Sequence, residues 1–287
     1  MGFFICLILC LAQFQVQASD WFNRTVRVDL IVNNNGRAYD SQYDSLELSK
    51  ELLSGLRSTN GQYPWSIYTI AWADLGEGSR HGQICLSTII SNNFFLTDFF
   101  CVGHHLTPIP NYIEIYFGSV QLSWSLIPTN YARHYWYIEP TPEDSPRMVL
   151  LRFHETLTFN PNIQPIRLPS PENFSYEAWS SYLLGFDLSS GNAIAHLQST
   201  QASILNNSLC NFHGIIHDYE ICATDGSERF DVGASGGAWI VYEYTAGFEF
   251  IPVVIGIETF LDQTQSFAAA SRVSYFVEWI ETLQQDN

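Results

Sequence analysis

Ser66-Ile67-Tyr68-Thr69-Ile70-Ala71-Trp72 is an apolar run rich in β-branched and aromatic residues, with no glycine or proline inside it. Side chains of this kind suit a pleated, half-buried sheet surface. Segments 85–90, 113–117, 148–153, 179–185, 238–242 and 253–258 read the same way. Turns separate them, and no β–α alternation appears, which argues against a parallel doubly wound sheet. The expected fold class is therefore all-β. The end of the chain differs. Val273, Phe276, Val277, Ile280 and Leu283 recur at helical spacing, so an amphipathic C-terminal helix is expected. Ahead of the strands, 19–50 form a prelude with a turn signal at Asn33-Asn34-Asn35-Gly36 and a short helix expected over 44–53. The proline-flanked stretch 164–169, QPIRLP, reads as a crossover between two halves. The chain has no internal repeat and no low-complexity tract.

The chain's 287 residues allow one large all-β unit or two modest domains. A hydrophobic fraction of 46% against 14% charged residues marks a folded globular protein. The formal net charge of -17 has the wrong sign for a nucleic-acid binder or for an anionic membrane surface. Residues 3–12, FFICLILCLA, form an apolar run too short to span a bilayer, followed by the small-residue site VQA at 16–18. A secretory signal peptide over 1–18, cleaved after Ala18, is expected, with no membrane span elsewhere. Cleavage would leave Cys85, Cys101, Cys210 and Cys222, an even set that suggests two disulfides in an oxidising compartment. Sequons at Asn23, Asn173 and Asn206 agree with secretion.

Several stretches then fall in a telling order. Gly61-Gln62-Tyr63-Pro64-Trp65 precedes Cys85 and Ile89-Ile90-Ser91-Asn92-Asn93, then Leu96-Thr97 and Cys101. Val149-Leu150-Leu151-Arg152-Phe153 and 162–169 follow, then Gly233-Ala234-Ser235-Gly236-Gly237 and a closing Arg272-Val273-Ser274-Tyr275-Phe276 with Trp279-Ile280. Together they resemble the trypsin/chymotrypsin-like serine proteases, and their secreted arthropod members most. The resemblance covers roughly residues 52–285. It implies two packed six-stranded antiparallel β-barrels with a C-terminal helix. It sets the boundaries at 1–18 for the signal peptide, 19–51 for an N-terminal segment of unknown role and 52–287 for the protease-like domain.

That family's chemistry uses a serine nucleophile, a histidine base and an aspartate that orients the histidine. By the resemblance, Ser235 stands at the nucleophile position. The family's Leu-Thr-Ala-Ala-His-Cys reads Leu96-Thr97-Asp98-Phe99-Phe100-Cys101, which puts Phe100 at the base position. The aspartate motif reads Arg147-Met148-Val149-Leu150, which puts Arg147 at the acid position. A phenyl ring accepts no proton, and a serine without a base is an ordinary alcohol. Ala234 stands where the family has the aspartate that pairs with a newly released amino terminus, and Glu51 stands at the activation cleavage site. Both ends of the activation switch are thus absent, leaving the oxyanion-hole positions Gly233 and Ser235 without that source of order. Arg229, Leu261 and Ala268 fall at specificity-pocket positions and imply a blocked or rebuilt pocket.

The resemblance also implies the bridges Cys85–Cys101 and Cys210–Cys222. A third family bridge is absent as a pair, since Asp231 stands at one of its positions. Arg167 stands where two-chain members carry a tethering cysteine. A competing reading of Cys210, His213, His217 and Cys222 is a zinc site by spacing. His104 or His105 as a substitute base, and Asp144 as a displaced acid, are further options. The expected function is a secreted, non-catalytic serine protease homologue. It would bind extracellular proteins, including active proteases or inhibitors, as a cofactor, decoy or regulator of a protease cascade such as an immune one. It needs no metal and no cofactor. The alternatives are a pattern-recognition or ligand-binding module using the remodelled cleft, and a residual serine hydrolase using Ser235.

Overall fold

A computed structural model describes residues 22–30, 44–48, 56–77, 79–102, 110–123, 128–141, 145–170, 175–189, 194–210, 217–224, 235–245, 247–262 and 267–287. Its strands are β1 (Thr25–Asp29), β2 (Asp44–Leu48), β3 (Leu56–Arg57), β4 (Ser66–Gly76), β5 (Ser79–Ile89), β6 (Phe94–Asp98), β7 (Tyr112–Tyr116), β8 (Gln121–Ser123), β9 (Asn130–Ile138) and β10 (Met148–Phe153). They continue with β11 (Ser180–Ser189), β12 (Ile194–Leu205), β13 (Glu220–Thr224), β14 (Ala238–Tyr244), β15 (Phe250–Asp262) and β16 (Phe267–Arg272). A single 3-10 turn spans Phe99–Val102, a short helix Asn207–Cys210, and a longer helix Val273–Asp286.

The strands close into two six-stranded antiparallel barrels. The first ring runs β4-β5-β6-β10-β9-β7 and back to β4. The second runs β11-β14-β15-β16-β13-β12 and back to β11. Closure gives every ring strand two neighbours, so no ring strand presents a fully unpaired edge. Ile67, Leu86, Phe95, Leu96 and Tyr135 are fully buried in the first barrel's core. Trp239, Val241, Val253, Ile255, Ala268 and Ala270 fill the second. Phe186 of β11 belongs to a core cluster drawn from both barrels and packs its ring 6.1 Å from that of Tyr68 on β4, which joins the two units.

The expected helix at the C-terminus forms with the expected face inward: Val273, Phe276, Val277, Ile280 and Leu283 are all buried. The helix expected over 44–53 does not form where it is described. Asp44–Leu48 is a strand, paired parallel with β5 from Asp44↔Arg80 to Leu48↔Ile84. Sheet pairing overrides the local helical preference of this leucine-rich segment.

The prelude contributes a second strand. β1 pairs antiparallel with β9, from Thr25↔Ile138 to Asp29↔His134, alongside the part of β9 that β7 leaves open. Arg24 Nε donates to the Glu139 carbonyl at 3.1 Å, and Trp279 Nε1 of the C-terminal helix donates to Thr25 Oγ1 at 2.9 Å. Residues 25–29 are therefore part of the first barrel's wall, held by the far end of the chain.

Candidate functional site

Strand β6 ends at Asp98 and the chain turns at once into the 3-10 turn, where Cys101 is bonded to Cys85 of β5. Arg147 lies just before β10, whose Met148 is in register with Asp98. The Phe99 amide donates to the Arg147 carbonyl at 2.8 Å, so the two segments are fixed against each other. Arg147 Nε donates to Asp98 Oδ1 at 2.8 Å, and its Nη2 bonds Oδ2. The planar guanidinium meets both carboxylate oxygens, the two-point geometry that only arginine provides. The Phe100 amide adds a third donor, 3.3 Å from Asp98 Oδ2.

Asp98 is wholly buried, whereas the Arg147 side chain is 31% exposed. Burial pushes the Asp98 carboxyl up to about 6, and the Arg147 charge and the turn's amides only partly oppose it. Desolvation wins because the carboxylate lies entirely out of water while part of its partner's charge remains solvated.

Ser235 opens the turn that leads into β14. Its carbonyl accepts the Leu86 amide of β5 at 3.2 Å, and the Gly236 amide donates to the Glu258 carbonyl of β15 at 2.9 Å. Gly236 has φ +81°, and a Cβ there would lie 2.1 Å from the Leu86 carbonyl oxygen and 2.4 Å from Thr97 Oγ1. Only glycine lets the backbone approach this closely. Thr97 Oγ1 itself donates to the Leu86 carbonyl at 3.0 Å. The turn carrying Ser235 is thus stitched to the first barrel beside the segment that holds Asp98, Phe100 and Cys101. Both Phe99 and Phe100 are half-buried, with the Phe99 ring centroid 5.0 Å from that of Tyr137.

Among the expected specificity positions, Leu261 and Ala268 are register partners in the pairing of β15 with β16. Ala268 is fully buried in the second core. Arg229, Gly233, Ala234, Asp231, Asp144, Glu51, His104, His105, Asn173 and His213 lie outside the described residues, as do the expected signal peptide and the turn at 33–36. Cys210 and Cys222 are joined, so the thiols of the zinc-like spacing form a bridge. His217 lies parallel to Tyr219, ring centroids 4.8 Å apart. Asn23 and Asn206 are exposed, and Asn206 donates to Glu177 Oε1 at 2.9 Å. Arg167, in the crossover, pairs with Glu243 at 3.2 Å; Tyr176 also donates to Glu243, at 2.8 Å.

Two acids at this site escape a reading by motif. Asp98 stands inside the quoted Leu96–Cys101 stretch, where an acid next to two phenylalanines in a buried strand is itself the signal. Glu258, 2% exposed, interrupts the apolar run of β15 and accepts Trp239 Nε1 at 3.5 Å. A carboxylate in such a run must be paired to be buried, which flags it.

The trypsin family model matches residues 54–280 of this chain. The chain is also similar to the solved structure of HL collagenase, with a TM-score of 0.62 and 21% identity over 82% of this chain and 99% of that one. That likeness concerns the fold, and it agrees with the two barrels and terminal helix. With the family model spanning both barrels, the chain belongs to the trypsin family.

Proposed function

We infer that this protein is a secreted, non-catalytic member of the trypsin family that acts by binding proteins in an extracellular protease pathway, as a cofactor, decoy or regulator. The observation supporting this is the closed Arg147–Asp98 pair beside Phe100 and the Ser235 turn. In an active triad the acid must face an imidazole. Here the charge at the expected acid position is positive and is satisfied by the neighbouring Asp98, and the expected base position carries a phenyl ring. Neither Arg147 nor Asp98 is left to polarise Ser235. Asp98 points into an ion pair and main-chain amides, so it does not serve as a replacement base.

Secretion rests on the signal-like 1–18 and the two bridges, which suit an oxidising compartment. Asn23, Asn173 and Asn206 would carry glycans there. The rebuilt specificity positions Arg229, Leu261 and Ala268 fit a cleft that no longer selects a substrate side chain. Reaction with a fluorophosphonate tests the reading: no label on Ser235 is expected, and a stoichiometric label lost in Ser235→Ala would establish a serine hydrolase instead.

A further inference from the structure

The hairpin of β14 and β15 ends in exposed aromatics. Tyr244 is 57% exposed, Phe248 80% and Phe250 68%, and Tyr242 continues the face at 38%. Tyr244 and Phe250 are cross-strand partners with ring centroids 5.2 Å apart, and Phe248 meets Tyr244 at 5.9 Å. Alternation along β14 turns Glu243 inward, where it meets Tyr176 and Arg167, and leaves Tyr242 and Tyr244 facing out.

Phe248 carries two costs at once. Its φ is +64°, a left-handed backbone that bulky side chains avoid, although Gly247 is its neighbour. Its ring is also mostly in water. The hairpin's own hydrogen bonds, from the Phe248 amide to the Thr245 carbonyl at 3.0 Å and from the Thr245 amide to the Glu249 carbonyl at 2.9 Å, hold the backbone, so it is the exposed ring that a covering surface would bury.

The electrostatics select that surface. Glu249 is exposed between Phe248 and Phe250, whereas Glu243 is paired inward with Arg167 and Glu258 is buried, so the tip itself carries an exposed carboxylate. A second copy of this chain would bring another net charge of -17, and an anionic lipid surface would also be repelled. Aromatic faces beside a carboxylate favour guanidinium groups, which stack on the rings and pair with the acid. We propose that the Tyr244–Phe248–Phe250 tip is a docking surface for an arginine-rich segment of a partner protein. The strand from Ala238 to Tyr244 spans about 20 Å, so this surface is separate from Ser235 and stands whether or not that serine reacts.

Fluorescence anisotropy with fluorescein-labelled nona-arginine, at about 0.15 M salt to screen bulk attraction, tests it on the full chain. Phe248→Ser/Phe250→Ser, which changes no charge, is expected to weaken binding at least tenfold with an unchanged circular dichroism spectrum. Phe248→Gly separates strain from recognition. It should raise the melting temperature by about 2 °C while also weakening binding. Wild-type affinity in both variants would overturn the proposal, since charge alone would then hold the peptide. It would equally be overturned if wild type ignored the peptide, with the aromatic changes instead abolishing self-association or binding to phosphatidylcholine vesicles.

Discussion

Arg147 and Asp98 form a two-point ion pair across the start of β10 and the end of β6, with the carboxylate wholly buried and the guanidinium reaching partly to solvent. The pair makes local sense of an aspartate at the end of β6 that would otherwise be an uncompensated buried charge. It also ties the stability of the first barrel to the two residues beside the Ser235 turn.

Breaking the pair from one side should be costly. Arg147→Met leaves a buried carboxylate without its partner and should destabilise the protein by about 3–5 kcal/mol. Replacing both residues, as Asp98→Leu/Arg147→Met, should recover most of that loss. Urea denaturation of the single and double variants measures the coupling, and strictly additive losses would show that the pair is not an energetic unit.

Acid should favour the buried carboxyl. Its folded value of about 6 lies above the 3.8 of a free aspartate, so the folded state holds this proton more tightly than the unfolded chain does. Stability from this group is fully present below about pH 3.8 and is lost as pH rises through 6. Relative to Asp98→Asn, the wild type should therefore lose on the order of 2 kcal/mol between pH 4 and pH 7. Denaturation curves for both proteins across that range give the difference, and a wild type that gains on Asp98→Asn as pH rises would reverse the sign.

Gly236→Ala should be among the most damaging single changes. The added methyl meets the Leu86 carbonyl at 2.1 Å, on a backbone with φ +81°. A loss of several kcal/mol, on the order of 3 or more, is expected. Thermal melting of the variant tests it, and a melting point within a degree of wild type would mean that the two barrels do not close on each other here.

The upstream strand should behave as part of the domain. A chain with residues 22–30 deleted lacks β1 and the Thr25 acceptor for Trp279. It should melt several degrees lower, and a synthetic peptide covering 22–30 should restore part of the loss by pairing with β9. Equal melting points with and without residues 22–30 would contradict the observed pairing. Trp279→Phe should cost about 1 kcal/mol through the lost hydrogen bond.

The legible parts of the fold were those with local signals. All seven strand segments read from composition coincide with observed strands, because their branched and aromatic residues face a core on at least one side. The terminal helix declared itself by spacing. β9 and β12 did not: Arg133 and His134 interrupt one, and Gln198, Ser199, Thr200 and Gln201 the other, so their strand character rests on neighbours. β1 and β2 were missed for the same reason, since each exists by pairing with a distant strand. At the site, position-by-position reading singles out Phe100 and Arg147 but not Asp98, the residue that Arg147 pairs with. Its partner lies 49 residues away in sequence, and only the fold brings the charges together. Both bridges followed from the resemblance and are present.

The proposed assignment of Phe100 and Arg147 to the base and acid positions can be tested by substituting the family's residues there. Arg147→Asp would set a second carboxylate against buried Asp98, so Phe100→His/Arg147→Asp should be poorly folded and unreactive. Adding Asp98→Ala removes that repulsion and should recover folding. A doubly substituted protein that folds as well as wild type would contradict the role given to Asp98.

Whether Ser235 reacts is read by labelling the unmodified, full-length protein with a fluorophosphonate and measuring its intact mass. On the proposed non-catalytic reading, with Phe100 at the base position and Arg147 held by Asp98, no adduct at Ser235 is expected after prolonged exposure at neutral pH. One adduct per chain, absent in Ser235→Ala, would contradict it and make this protein a working serine hydrolase.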